Sequence, residues 1–144
     1  MGTWKMIVKM TVLAVVIFLN MGLMGCQSKD TELSDKFDEE TVKSEAMKSI
    51  ELFNKKDYDG IIEMGIEEFK EKLSAEDFAK QCDPILDKRG EFKEIQKTVI
   101  VGSKDKESGA EYAVIVLVAA YEEGKIQFSI GFDEDMKLIQ FFVK

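Results

Sequence analysis

From Glu39 the chain alternates between two hydrophobic rhythms. Val42, Ala46, Ile50 and Phe53 recur at i, i+4, i+8 and i+11, with Lys43, Glu45, Lys48 and Glu51 on the other side. This pattern predicts an amphipathic helix with one buried stripe. Asn54-Lys55-Lys56-Asp57 ends it, and Asp57 or Asp59 caps a short helix carrying Ile61, Ile62 and Met64. Gly65 breaks that helix, and Ile66, Phe69 and Leu73 make another short amphipathic piece. Ser74-Ala75-Glu76-Asp77 has capping-box spacing and opens a helix with Phe78, Cys82, Ile85 and Leu86 that stops at Gly90. Pro84 is expected to kink or split it.

After Gly90 the period becomes two. Phe92–Val101 predicts a first strand, residues 102–109 a polar hairpin loop, and Glu111–Tyr121 a second strand. The second strand is apolar at both parities: Tyr112, Val114, Val116 and Val118 on one, Ala113, Ile115, Leu117 and Ala119 on the other. That composition predicts a central strand covered on both faces. Ile126, Phe128, Ile130 and Phe132 alternate along a third strand, and Lys137–Val143 closes the sheet. A three-residue last turn pairs Asp133 with Lys137. It then places Phe128, Ile130 and Phe132 with Leu138, Gln140 and Phe142 toward the helices. Ile139, Phe141 and Val143 fall on the opposite face with Gln127 and Ser129. An exposed apolar triplet there predicts a homodimer through Ile139, Phe141 and Val143. The fold class is α+β: N-terminal helices packed on a curved, cone-like four-stranded antiparallel sheet.

The first 38 residues are different. Lys5 and Lys9 precede an apolar run, Thr11–Leu19, that is far shorter than the roughly 20 residues a membrane span needs. A basic start, a short apolar core and small residues after it describe a secretory signal peptide. Leu23-Met24-Gly25-Cys26 resembles the lipobox of bacterial lipoproteins. That resemblance implies a diacylglyceryl group on Cys26 and cleavage just before it. Residues 1–25 are then a signal peptide, 26–38 a polar tether and 39–144 one domain. The tether's twelve residues after Cys26 reach roughly 20 Å as a flexible chain. The expected location is the outer face of a bacterial membrane.

Charge and composition narrow the chemistry. The 144 residues carry 28 acidic and 20 basic side chains, net −8, and no histidine. Losing Lys5 and Lys9 takes the mature chain to −10. Without histidine there is no Ser-His-Asp or Cys-His machinery and no histidine-ligated zinc. The acidic balance argues against nucleic acid as a partner. Cys82, the one thiol left after Cys26 is lipidated, has apolar neighbours at helical spacing and reads as a buried structural residue. Asp133-Glu134-Asp135 lacks the glycine and closing Glu of a calcium loop and reads as a hairpin turn; no metal site and no cofactor are expected.

The order of Phe53-Asn54-Lys55-Lys56-Asp57-Tyr58-Asp59, Leu73-Ser74-Ala75-Glu76, Gly90-Glu91-Phe92, Glu123-Gly124-Lys125 and Phe132-Asp133-Glu134-Asp135 resembles the bacterial family called domain of unknown function 3887. The likeness runs from about Ala46 to Lys144, and Met136 stands where that family commonly has glycine. The family in turn looks like a member of the nuclear transport factor 2-like (cystatin-like) superfamily, whose cones often pair through the outer sheet face. Some cones in that superfamily hold an acid–base pair in an apolar cavity. Here that resemblance implies a lining of Tyr58, Phe78, Tyr112, Tyr121 and Phe128. No catalytic constellation is legible, so the expected function is a non-enzymatic binding or interaction module. A small-ligand carrier or enzyme using a cavity between sheet and helices is the alternative.

Overall fold

The computed structural model describes residues 32–144. Four helices, α1 (Glu39–Asn54), α2 (Tyr58–Glu63), α3 (Glu67–Lys72) and α4 (Ala75–Arg89), precede four strands, β1 (Phe92–Lys104), β2 (Glu111–Tyr121), β3 (Gly124–Phe132) and β4 (Leu138–Val143). The strands form one antiparallel meander in the order β1-β2-β3-β4. This is the α+β layout the two rhythms predict.

Three of the four helices, α1, α2 and α4, begin where a side chain replaces a missing intrahelical acceptor; α3 starts at Ile66 without a side-chain cap. The Thr41 amide donates to Asp38 Oδ2 at 3.0 Å, the Gly60 amide to Asp57 Oδ1 at 3.0 Å, and the Asp77 amide to Ser74 Oγ at 3.2 Å. Val42, Ala46, Ile50 and Phe53 of α1 are wholly buried. Pro84 does not split α4, which is assigned as one helix from Ala75 to Arg89. Gly90 ends it at φ 75°, a conformation that costs a side chain strain and glycine none.

The α2–α3 connection is tied to the sheet. The Ile66 amide donates to the Leu138 carbonyl at 3.0 Å, and the Leu138 amide to the Met64 carbonyl at 2.9 Å. Gly65 lies between them; a Cβ there would stand 2.3 Å from the Phe69 ring, so only glycine lets the chain pass.

Two expectations need correction. The last turn does pair Asp133 with Lys137, the Asp133 amide donating to the Lys137 carbonyl at 3.0 Å, with Met136 at φ 61° in the glycine-like position. One residue later the register shifts: Phe132 faces Leu138, but Gly131 faces Gln140 and Ile130 faces Phe141. The extra residue, Ile139, is a bulge, and a bulge reverses the parity of everything after it. Phe141 therefore joins the core at 3 % exposure, while Gln140 and Phe142 turn to the other face. Val143 also packs against the core. The triplet Ile139, Phe141 and Val143 is not one surface.

The second correction concerns the domain's start. Phe37 is only 7 % exposed and belongs to the core, and Leu33 packs against it. Ser34 Oγ donates to Glu111 Oε2 at 2.8 Å, and Lys36 Nζ lies 3.5 Å from Glu111 and 3.3 Å from Glu134. Packing therefore begins before Glu39, and residues 32–38 are a docked strap. The remainder of the expected tether, with Leu23, Met24, Gly25, Cys26 and the signal peptide, lies outside the described residues.

Candidate interaction surface

The sheet has an inner face under the helices and an outer face on which none of the four helices packs. On the inner face, Phe128 meets Phe53 edge-on at 5.1 Å between ring centroids and Phe141 at 5.9 Å. Phe141 also touches Phe78 at 5.8 Å, and Tyr58 stacks on Phe78 at 5.4 Å with planes 10° apart. Five rings thus occupy the space between helices and sheet. Tyr121 closes one end, edge-on to Phe92, with its hydroxyl donated to Asn54 Oδ1.

Four of the five residues expected to line a cavity, Tyr58, Phe78, Tyr121 and Phe128, share the core cluster. Tyr112 stands apart. It pairs with Ser103 and alternates with the core residue Ala113, so it belongs to the outer face. A tyrosine–carboxylate pair exists, since the Tyr58 hydroxyl donates to Asp83 Oδ1 at 2.6 Å. It sits at the helix surface beside Lys56, whose ammonium is 3.8 Å from Asp83 and 2.8 Å from Asp87. Burial, reinforced by the Asp83 carboxylate, pushes the Tyr58 phenol well above its ordinary range; burial does the same at Tyr121. Both hydroxyls are fixed donors and poor proton sources. Cys82 is 5 % exposed, and burial, with Asp83 adding to it, pushes its thiol up to about 12. It is protonated at neutral pH and has no nucleophile's environment.

The Asp133–Lys137 turn satisfies itself: Asp133 Oδ1 accepts from the amides of Asp135 at 3.0 Å and Lys137 at 2.9 Å. Among the described residues no group of three or more His, Cys, Asp or Glu side chains is placed to hold a metal, and no helix is long and apolar enough to cross a membrane. A groove of about 360 Å³ runs between the strap and the end of β1, lined by Leu33, Ser34, Lys104 and Glu111, away from the ring cluster.

The outer face is built from β1, β2 and β3. Val99 pairs with Val116 and Val101 with Val114, while Val118 lies between Lys97 and Gln127. Val99, at 41 %, is the one large apolar residue classed as exposed among those described; Val101, Val116 and Val118 are half-buried. None of the five valines belongs to the core cluster, although Val114 is only 4 % exposed. The bulge at Ile139 adds Gln140, opposite Gly131, and Phe142, opposite Ser129. Gln140 is 4 % exposed; its Nε2 donates to Ser129 Oγ at 3.0 Å, and its Oε1 has no partner among the described residues. Turning the amide over would give Ser129 an acceptor and leave the nitrogen unpaired instead, so one end of the group is orphaned either way. An orphaned buried amide costs about 1–3 kcal/mol.

The sequence reading put Gln140 and Phe142 on the inner face and did not single out Val99 or Val101. Gln140 carried the available signal: the one polar side chain in an apolar strand belongs on the face away from the core.

Comparison with known proteins agrees with this architecture and adds no activity. No curated protein matches the chain. An NMR structure of a protein from Ruminococcus gnavus ATCC 29149 is similar at 34% identity, covering 78% of this chain and 96% of that one, with a TM-score of 0.69. Residues 46–141, from the middle of α1 through most of β4, match the family described as Protein of unknown function (DUF3887), and the chain belongs to that family.

Proposed function

We propose that the protein is an exported, lipid-anchored interaction module on the outer face of a bacterial membrane, and that its binding surface is the outer face of the sheet. The anchor rests on Leu23-Met24-Gly25-Cys26 following a short apolar run behind Lys5 and Lys9. The binding surface rests on one observation: Val99, Val116 and Val118 form an aliphatic patch beside the half-satisfied Gln140 amide. An aliphatic area of this kind is what a protein partner buries; the Gln140 amide, already 4 % exposed, lies beneath its margin and is not itself a contact group. The layout is consistent with a cone of the nuclear transport factor 2-like kind. The rings packed between helices and sheet count against the carrier or enzyme alternative.

The partner we favour is a second copy. The mature chain's net charge is −10, so two copies repel over most of their surfaces. The middle of the valine patch carries no acid; Val116 has Val99 and Ser129 as its cross-strand neighbours. Contact there avoids like-charge apposition. Light scattering on the lipid-free domain at tens of micromolar should give twice the chain mass, and Val116→Lys should give the single-chain mass with its melting temperature nearly unchanged. A wild-type domain that stays monomeric would sink the homodimer; an unaffected dimer in Val116→Lys would move the interface off this face.

A further inference from the structure

The strap decides which end of the domain can face the membrane. Leu33, Ser34, Lys36 and Phe37 hold to the start of β2 and to the β3–β4 turn, through Glu111 and Glu134. In an antiparallel meander the β1–β2 and β3–β4 connections lie at one end of the sheet and the β2–β3 connection at the other. The strap therefore enters at the pole that carries residues 105–110 and 133–137. The opposite pole is closed by the α4 C-terminus, where the Glu91 amide donates to Glu122 Oε1 at 2.8 Å and Arg89 Nε to the Lys125 carbonyl at 3.0 Å.

Chain length turns this into an orientation. Five residues separate Cys26 from Glu32, and even fully extended those six Cα steps span at most about 20 Å. The eleven residues of β2 separate the two poles by about 35 Å. We infer that the strap sets the domain upright, with the β1–β2 and β3–β4 connections as its membrane-proximal surface and the Glu122–Gly124 turn pointing away. The inference rests on the proposed lipid at Cys26. It does not rest on attraction to lipid headgroups. Asp105 and Glu107 on one connection and Asp133, Glu134 and Asp135 on the other make this pole acidic, so it is held by the short tether and not adsorbed by charge.

The orientation has a consequence for the valine face. With strands running along the membrane normal, the outer face stands perpendicular to the bilayer. Two copies anchored in one leaflet can then meet face to face about a two-fold axis along the normal, with neither tether crossing the interface. A domain lying on its side would have that face occluded or turned to solvent.

The test uses the full chain, matured in cells and placed in phosphatidylethanolamine–phosphatidylglycerol vesicles carrying dansyl headgroups. The sequence has one tryptophan, Trp4, which leaves with the signal peptide, so Ser108→Trp and Glu123→Trp each make a single donor. Energy transfer to the headgroups should be several-fold stronger from the Ser108→Trp chain than from the Glu123→Trp chain. Adding Phe37→Ala, which frees the strap, should shrink that difference while the protein stays on the vesicles. Equal or reversed transfer in the intact strap overturns the inference. If the matured chain carries no lipid, coupling the Cys26 thiol to a maleimide lipid separates the two ideas. The same ordering would then uphold the strap and refute the lipoprotein reading, and equal transfer would refute the strap.

Discussion

The two faces of β2 are built from nearly the same side chains and do different things. Ala113, Ile115, Leu117 and Ala119 point toward the helices and are almost completely buried. Val116 and Val118 alternate with them, equally apolar but half-buried, on the face that none of the four helices covers; Val114, on the same face, is as buried as the inner set at 4 % exposure. Composition therefore does not decide which face is core. What decides it is the supply of large complementary surface: Phe53 from α1, Phe78 from α4 and Phe141 from β4 all converge on one side. The other side receives the glutamine amide and Phe142 that the bulge sends there. A second face this apolar is the ground on which a partner is proposed there.

The comparison can be broken most severely from the inner side. Phe128→Ala removes the ring at the centre of the cluster and should cost about 3–5 kcal/mol, read by urea denaturation. A loss below about 1 kcal/mol would mean the rings do not pack as a unit.

The strap gives the next effect. Phe37→Ala should cost about 2 kcal/mol, because the residue is buried although it lies in a polar run. Its polar contacts add a pH signature. The Ser34 hydroxyl, then Lys36, holds the Glu111 carboxyl below its ordinary 4.5. The Glu134 carboxylate, then Glu111, holds the Lys36 ammonium above 10.5. A lowered acid stabilises the docked strap above about pH 4.5 and loses that contribution as pH falls through the folded value. A raised lysine contributes below about pH 10.5 and loses it as pH rises through its own folded value. The Leu33 and Phe37 side-chain NMR shifts should therefore be constant across neutral pH and move toward free-chain values at both extremes. Movement near pH 7 would contradict this.

The outer face should be the least sensitive in stability and the most sensitive in association. Val116→Lys leaves the core untouched, so its effect on unfolding should stay within about 0.5 kcal/mol.

The sequence made most elements legible because their periodicities are clean: the four-residue steps of α1, the alternation of β3, and the caps Asp57 and Ser74. The Asp133–Lys137 pairing was legible too, since turn length fixes it. The bulge was not. In Leu138-Ile139-Gln140-Phe141-Phe142 both parities are apolar, so the pattern carries no phase, and a slip of one residue changes no local preference. The docking of Phe37 was hidden for the opposite reason, a single ring in a polar stretch having no period at all. Tyr112 was grouped correctly with Val114, Val116 and Val118; which of the two parities faced the helices was set by rings distant in sequence.

The central claim is that the valine face is where the protein binds, and a second copy is the partner it names. The direct measurement is intermolecular NOE spectroscopy on a mixed sample, half the chains with ¹³C-labelled methyls and half unlabelled. The account predicts intermolecular NOEs at the methyls of Val99, Val116 and Val118 and none at Leu117 or Ile130, which lie on the inner face. Intermolecular NOEs confined to α1 or α4, or none at millimolar concentration, would contradict it.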